Sequence, residues 1–228
     1  EYVIMGYDVS EEEFWELSNE DTNFELIDGV LFIHSPASTE HEEIFGYLQK
    51  LWGFYLEDKQ LGKIFGSRLV MRLSSQWNPE PNLMIVFKEN YERIKPTRIE
   101  GPADIVVEIL SRATREIDLT KKIPQYFASG VKETWILDPK NKDVHLVWEK
   151  TRLSSSDRER KEKCTPNLKS MLNRNEKVKL SCQSWTDENE DKTISSRVLP
   201  GLGLKPKWIW NREKNPTSKI IRNWIEQK

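Results

Sequence analysis

Residues 105–110, Ile-Val-Val-Glu-Ile-Leu, restrict the fold more than any other stretch of the chain. A short, nearly continuous run of β-branched and aliphatic residues reads as a strand buried on both faces, which needs covering layers above and below it. Glu108 sits in the middle of that run. A buried carboxylate costs up to several kcal/mol unless a cation or hydrogen-bond donors compensate it. The sequence must therefore supply Glu108 with a positive partner.

The flanking segments give the strand its setting. "FELIDGVLFI" (24–33) is a hairpin signal around Asp28-Gly29, a dipeptide favoured in type I′ turns. Thr39 with Glu42 forms a capping box, and Ile44, Leu48, Leu51, Trp52 and Tyr55 then recur at helical spacing, predicting a helix over 39–57. "GKIFGSRLVMRL" (62–73) predicts one half-buried strand, with Leu69, Met71 and Leu73 on one face and Arg68, Val70 and Arg72 on the other. "NLMIVF" (82–87) is a short apolar strand. A helix over 118–129 closes at Gly130, with Pro124 expected to kink it or delay its start. "ETWILD" (133–138) and "DVHLVW" (143–148) form a second hairpin. The order predicts one α/β domain with a mixed sheet of about five strands.

Composition separates a core from an appendage. The chain has 228 residues, 37% hydrophobic and 10% aromatic, enough to bury a substantial core. The stretch 151–192 is instead polar, with "TRLSSSDRERKEK" and "DENEDK", and is expected as a surface excursion carrying one hairpin at 177–185. The expected organisation is a single domain over 1–228: a core at 10–150, the excursion at 151–192, and a covering segment and amphipathic helix at 193–228. A net charge of −2 argues against a strongly basic, non-specific nucleic-acid binder. No apolar stretch approaches the ~20 residues of a membrane span, and the acidic start lacks a secretion-signal layout. A cytoplasmic protein with Cys164 and Cys182 as reduced thiols is the expectation, because two cysteines are too few for a disulfide framework; one disulfide between them is the alternative.

Two kinds of cation could answer Glu108. One is a divalent metal, which needs further oxygen ligands. The other is Lys121 or Lys122, on the following helix. A carboxylate, a metal and a lysine together suit phosphodiester hydrolysis, in which the metal polarises the phosphate and acidifies a bound water. Asp104 leaves the strand on the same side as Glu108, either as a second ligand or as a cap on the strand entry. A buried Glu–Lys pair with no catalytic role also fits the spacing.

"FELIDGVLFIHSPAS", "PNLMIVF", "ADIVVEILSRATREIDLTKKIPQYFASGVKETWILDP" and "VLPGLGL" together resemble the Uma-type restriction endonuclease family, a branch of the PD-(D/E)XK nuclease superfamily. The likeness runs from Glu12 to Leu204, interrupted by the polar excursion. It implies a restriction-endonuclease-like α/β core with a mixed central sheet flanked by helices and an N-terminal β-hairpin. It further implies a DNA endonuclease using Mg²⁺, with Mn²⁺ as a substitute, that leaves a 5′-phosphate and a 3′-hydroxyl. Glu108 matches the family's metal-binding Glu, with the carbonyl of Ile109 helping to hold the metal. Leu110 stands at the usual lysine position, and Lys122 matches a lysine moved to the next helix. Glu25 matches a supporting acidic residue on the hairpin. A homodimer is also implied, for which the apolar face of the terminal helix could serve.

The chain departs from that pattern at one position. Asn82 follows Pro81 where the family's main metal-binding aspartate is expected. Asn keeps one oxygen acceptor but loses the charge, and Mg²⁺ usually takes one or two carboxylates. Glu80 is poorly placed to substitute, since it precedes the strand. A natural member that has lost cleavage and an Asn introduced to trap a complex both fit. The two functional readings are a Mg²⁺-dependent DNA endonuclease weakened at Asn82, and a non-cleaving DNA-binding or assembly module on the same fold. Arg68, Arg72, Arg112, Arg115, Lys121 and His41 are further candidates for phosphate contacts and Trp77 for a base contact, for which solvated charge or ordinary packing is the simpler reading. His145 has no ligand-like neighbour in the sequence.

Overall fold

The computed structural model describes residues 2–18, 22, 24–34, 36–66, 68–150, 164–174, 178–186 and 191–226. The polar runs expected at 151–163 and 187–190 lie outside the described residues.

The buried run forms β9 (Ile105–Ile109) at the interior of a six-stranded sheet. On one side of it lie β7 (Leu83–Phe87) and then β4 (Gly62–Gly66), both antiparallel to their neighbours. On the other side β10 (Glu133–Asp138) runs parallel to β9, followed by antiparallel β11 (Asp143–Glu149) and β12 (Leu180–Trp185). The mixed sheet matches the expected fold class. The segment 177–185 makes no separate hairpin: its strand adds to the edge of the main sheet through β11.

Alternation along β9 sends Ile105, Val107 and Ile109 to one face and Val106, Glu108 and Leu110 to the other. The first face packs under α2 (Thr39–Lys59), whose Ile44, Leu48, Leu51 and Trp52 are fully buried, each contributing about 1.5–3 kcal/mol. Trp52 meets Trp135 of β10 edge-to-face at 5.1 Å. The cap of α2 is Ser38, which accepts the His41 N–H, rather than Thr39, which is the first helical residue. α7 (Thr217–Glu226) lies on this face too, with Ile220 buried and Ile221 and Trp224 packed on the core. The apolar face suggested for dimerisation is thus used within the chain, apart from Ile225.

The opposite face is covered by α3 (Arg115–Ile117), a π-helical turn at Asp118–Lys122, α4 (Ile123–Ser129) and α5 (Pro166–Leu172). Pro124 does not delay the helix. It sits just after the wide turn, in which Ile123 N–H reaches the Asp118 carbonyl five residues back. Gly130, at φ +110°, closes α4.

A second sheet comprises β1 (Tyr2–Gly6), β3 (Val30–His34), β2 (Phe24–Ile27) and β6 (Trp77–Asn78), in that order. Asp28 and Gly29 both adopt positive φ, as the predicted hairpin turn requires. The stretch 62–73 is two strands rather than one. After β4 the chain turns a corner with Arg68 at φ +79° and resumes as β5 (Val70–Arg72), which pairs in parallel with β8 (Arg98–Glu100). Arg72 is held by Glu11 and Glu100 and is not free for phosphate.

The cysteines are also corrected. Cys164 and Cys182 form a disulfide, their Cα atoms 5.3 Å apart. Pairing of β12 with β11 brings Cys182 under the start of α5, a long-range approach that sequence spacing does not reveal. Among the described residues, no helix is long and apolar enough to cross a membrane.

Candidate active site

Glu108 projects from β9 beneath the π turn and α4, and it is 2% exposed. Its Oε1 lies 3.2 Å from Lys122 Nζ and accepts the Tyr126 hydroxyl at 2.6 Å. Lys122 Nζ is also 3.0 Å from Glu25 Oε1 and 3.3 Å from Asp118 Oδ1. The ammonium's three donors therefore face three carboxylates, all buried. Three chain segments meet here. β2 supplies Glu25, because Phe24 and Leu26 turn to the opposite face, into a separate apolar cluster. Glu25 Oε1 further accepts the Glu80 N–H at 2.6 Å, which ties the loop before β7 to the site.

The helix delivers its residues through spacing. Asp118, Lys122 and Tyr126 recur every four residues, which places them on one stripe. In an α-helix four residues overshoot a full turn by about 40°. The wider π turn between Asp118 and Lys122 undershoots it, so the two offsets oppose and the stripe stays aligned.

Burial pushes the Glu108 carboxyl up to about 7, against the pull of Lys122 and the Tyr126 hydrogen bond; Asp118 and Glu25 push it further up. Burial also raises Asp118, opposed by Lys122. For Lys122 burial favours the neutral amine, but Glu108 and Glu25 outweigh it and hold the ammonium well above its ordinary value. Tyr126 is raised by burial and by Glu108, so its phenol remains a neutral donor.

Asn82 stands at the mouth of this cluster. Its Oδ1 accepts the Ile109 N–H at 2.7 Å, and its own N–H points to Glu108 Oε2 at 3.4 Å. The backbone donor fixes the amide orientation, since only oxygen can accept there. The other head atom is then Nδ2, a donor standing where an aspartate would hold its second oxygen. Ile109 contributes its N–H to this arrangement.

The donor set does not fit a Mg²⁺ ion. Glu108 Oε1 is taken by Lys122 and Tyr126, Oε2 faces the backbone N–H of Asn82, and the one side-chain oxygen of Asn82 is taken by the Ile109 N–H. Among the described residues, no group of three or more His, Cys, Asp or Glu side chains is arranged to hold a metal. The cation between the carboxylates is Lys122.

Other residues raised by the sequence lie elsewhere. Asp104 takes the strand-entry role: it accepts the Phe87 N–H and the Asn90 amide and pairs with Lys132 at 2.7 Å. Arg115 pairs with the buried Asp138 at 2.5 Å, and Lys121 reaches the exposed Asp28 at 3.4 Å. Arg112 is exposed. His41 pairs with Glu42 on the first turn of α2, and Trp77 is half-buried in β6. His145 does have a partner, Ser184, 2.8 Å away, and burial lowers its pKa to about 4. Sequence reasoning missed Asp118 and Tyr126 as members of the cluster. Their signal was the four-residue polar stripe crossing an otherwise apolar helix face formed by Leu119, Ile123 and Phe127.

A central mixed sheet covered by helices on both faces, with a helix-borne lysine set against a strand carboxylate, defines an α/β protein with a buried ionic cluster at its centre. Comparison with known proteins supplies its family. The sequence matches the Uma2 family, described as "Putative restriction endonuclease", over residues 11–165. The chain belongs to that family. Its fold is similar to the crystal structure of "a putative nuclease belonging to DUF820" from Anabaena variabilis ATCC 29413. The TM-score is 0.66 at 14% identity, over 89% of this chain and 98% of that one. No curated protein matches the sequence.

Proposed function

We propose that this protein is a DNA endonuclease of the restriction type whose hydrolytic centre is held at low or no activity by Asn82. The hydrogen bond from Ile109 N–H to Asn82 Oδ1 carries this reading, because it commits the one acceptor of the Asn82 side chain and leaves an amide nitrogen, which cannot hold a metal ion, as its other head atom. With aspartate at 82, one carboxylate oxygen would accept the same backbone N–H. The other would be left without that donor, so that with Glu108 the site would offer Mg²⁺ or Mn²⁺ the two carboxylates it commonly needs. Lys122 would remain across the site to orient a water or offset charge developing on the phosphate. In the present sequence the fold binds DNA without efficient cleavage.

Supercoiled plasmid incubated with the protein and with Asn82→Asp, in Mg²⁺ and in Mn²⁺, tests this. Nicking should appear or rise at least about 100-fold in the variant, taking an interaction of about 3 kcal/mol with the transition state as the scale of one metal-ligand charge. Adding Glu108→Ala should abolish it. If Asn82→Asp cuts no DNA form, the endonuclease reading fails. DNA affinity that falls steeply with salt, by a log–log slope of about −0.9 for each phosphate contacted, is expected of both proteins.

A further inference from the structure

We infer that the Cys164–Cys182 disulfide is a redox-sensitive clamp that sets the position of the Lys122-bearing helix. The inference rests on the proposed function only for its consequence on DNA cleavage.

The clamp acts through α5. A helix of seven residues is too short to hold its own shape in water, so its place depends on what fastens it. Leu168 and Leu172 are buried in the cluster that holds Leu119 and Ile123, and α5 packs directly on the π turn that carries Asp118 and Lys122. On its other side α5 meets β12. Two polar links join these parts: the Thr165 N–H to Ser184 Oγ at 3.4 Å, and the Leu180 N–H to Asn173 Oδ1 at 3.2 Å. Besides the backbone that leads from α5 into β12, the disulfide joins the residue before the α5 cap to β12 across 18 positions. Cys182 is 2% exposed, whereas Cys164 is partly exposed, so a dithiol can reach the bond from the Cys164 side.

Reduction balances simply. A dithiol gives two electrons and two protons to the S–S bond, which becomes the Cys164 and Cys182 thiols, while the dithiol closes to its own disulfide. Releasing a loop of this length raises the undocked population of α5 on the order of 100-fold. The π turn then loses the cover formed by Leu168 and Leu172. Disulfides persist in oxidising compartments and are transient in reducing ones, so the same bond reports its surroundings.

Amide hydrogen exchange of the oxidised and dithiothreitol-reduced protein tests the coupling, with alkylation and mass measurement to count thiols. On reduction, peptides within 115–126 should exchange at least about tenfold faster, while those in β9 and β10 stay unchanged. Leu168→Ala with the disulfide intact should raise exchange in the same peptides. Equal exchange before and after reduction overturns the inference, as does alkylation of both cysteines in the untreated, air-purified protein. Plasmid nicking by Asn82→Asp, oxidised and reduced, separates the two proposals. Faster exchange with no nicking in either state sinks the endonuclease reading and leaves the clamp. Nicking that is equal in both states, with unchanged exchange, sinks the clamp and leaves the endonuclease.

Discussion

Replacing Lys122 with methionine should destabilise the protein strongly at pH 8 and weakly at pH 5. Methionine keeps most of the lysine's volume, so the chief loss is the ammonium's contacts with Glu25, Glu108 and Asp118 at 3.0, 3.2 and 3.3 Å. Removing one partner from a buried ionic group costs about 3–5 kcal/mol when the charge left behind stays ionised. For a chain of this size that corresponds to a fall in Tm of roughly 6–20 °C. The carboxylates can escape the penalty by taking up protons. Glu108 already titrates near 7 rather than at its ordinary 4.5, so between those values the native state binds more protons than the unfolded chain. Stability from this group therefore falls as pH rises through that window. Without Lys122 the Glu108 and Asp118 carboxyls move up further, which widens the window and steepens the fall. At pH 5 the variant should be protonated there and lose only about 1 kcal/mol, the scale of ordinary hydrogen bonds. Urea denaturation followed by circular dichroism at both pH values measures the difference. A loss that is equal at pH 5 and pH 8, or under about 1 kcal/mol at pH 8, would refute the buried-cluster account.

Tyr126→Phe removes the hydroxyl donated to Glu108 at 2.6 Å. It should cost about 1–3 kcal/mol and move the Glu108 midpoint above about 7, since that hydrogen bond favours the carboxylate; carboxyl NMR of labelled protein reads the shift. Glu133→Gln is the matched control on the other face of the sheet. Glu133 is buried and accepts the Trp135 indole N–H at 2.7 Å and the Arg197 N–H at 2.6 Å, which anchors the covering segment. Its substitution should lower stability by about 1–2 kcal/mol, yet leave the Glu108 midpoint in place. A Glu108 shift in this variant would mean that the two faces are not electrically separate.

Periodicity exposed the elements whose burial is one-sided or complete. The α2 stripe, the β9 run and the Asp28-Gly29 turn each state their geometry locally, and each appears in the structure. The misses have physical reasons. β1 and α1 (Glu11–Leu17) went unread: Val3, Ile4 and Met5 of β1 are apolar but exposed, so they show no one-sided pattern, and α1 buries only Phe14, although Ser10 and Glu13 make a full capping box. The 62–73 stretch alternates correctly, with Met71 and Val70 in different clusters, but alternation does not register a corner that moves the chain between sheets. α5 escaped notice inside a polar excursion, since two leucines are all it buries. At the site, the sequence offered Glu25, Asn82, Glu108 and Lys122 through resemblance. The four-residue stripe of Asp118, Lys122 and Tyr126 was legible, but not that it closes around Glu108, because that alignment depends on a π turn with no residue signature.

The position of the lysine explains why the site depends on the helical layer. Leu110, two residues beyond Glu108, is buried in the same cluster as Leu119 and Ile123, so a lysine there would put an ammonium among hydrocarbon. With the charge on residue 122 the strand end stays apolar, and the Glu108–Lys122 contact spans two layers rather than one strand. A strand-borne pair would be fixed by backbone pairing alone. Here the distance depends on how the π turn packs on the sheet, and that packing depends on α5, β2 and the Glu80 loop together. Each carboxylate around Lys122 comes from a different part of the fold: Glu25 from the hairpin, Glu108 from the sheet and Asp118 from the helix itself. The ammonium therefore acts as the joint between them. A change in any one support should be felt at Glu108 Oε2, the oxygen beside Asn82.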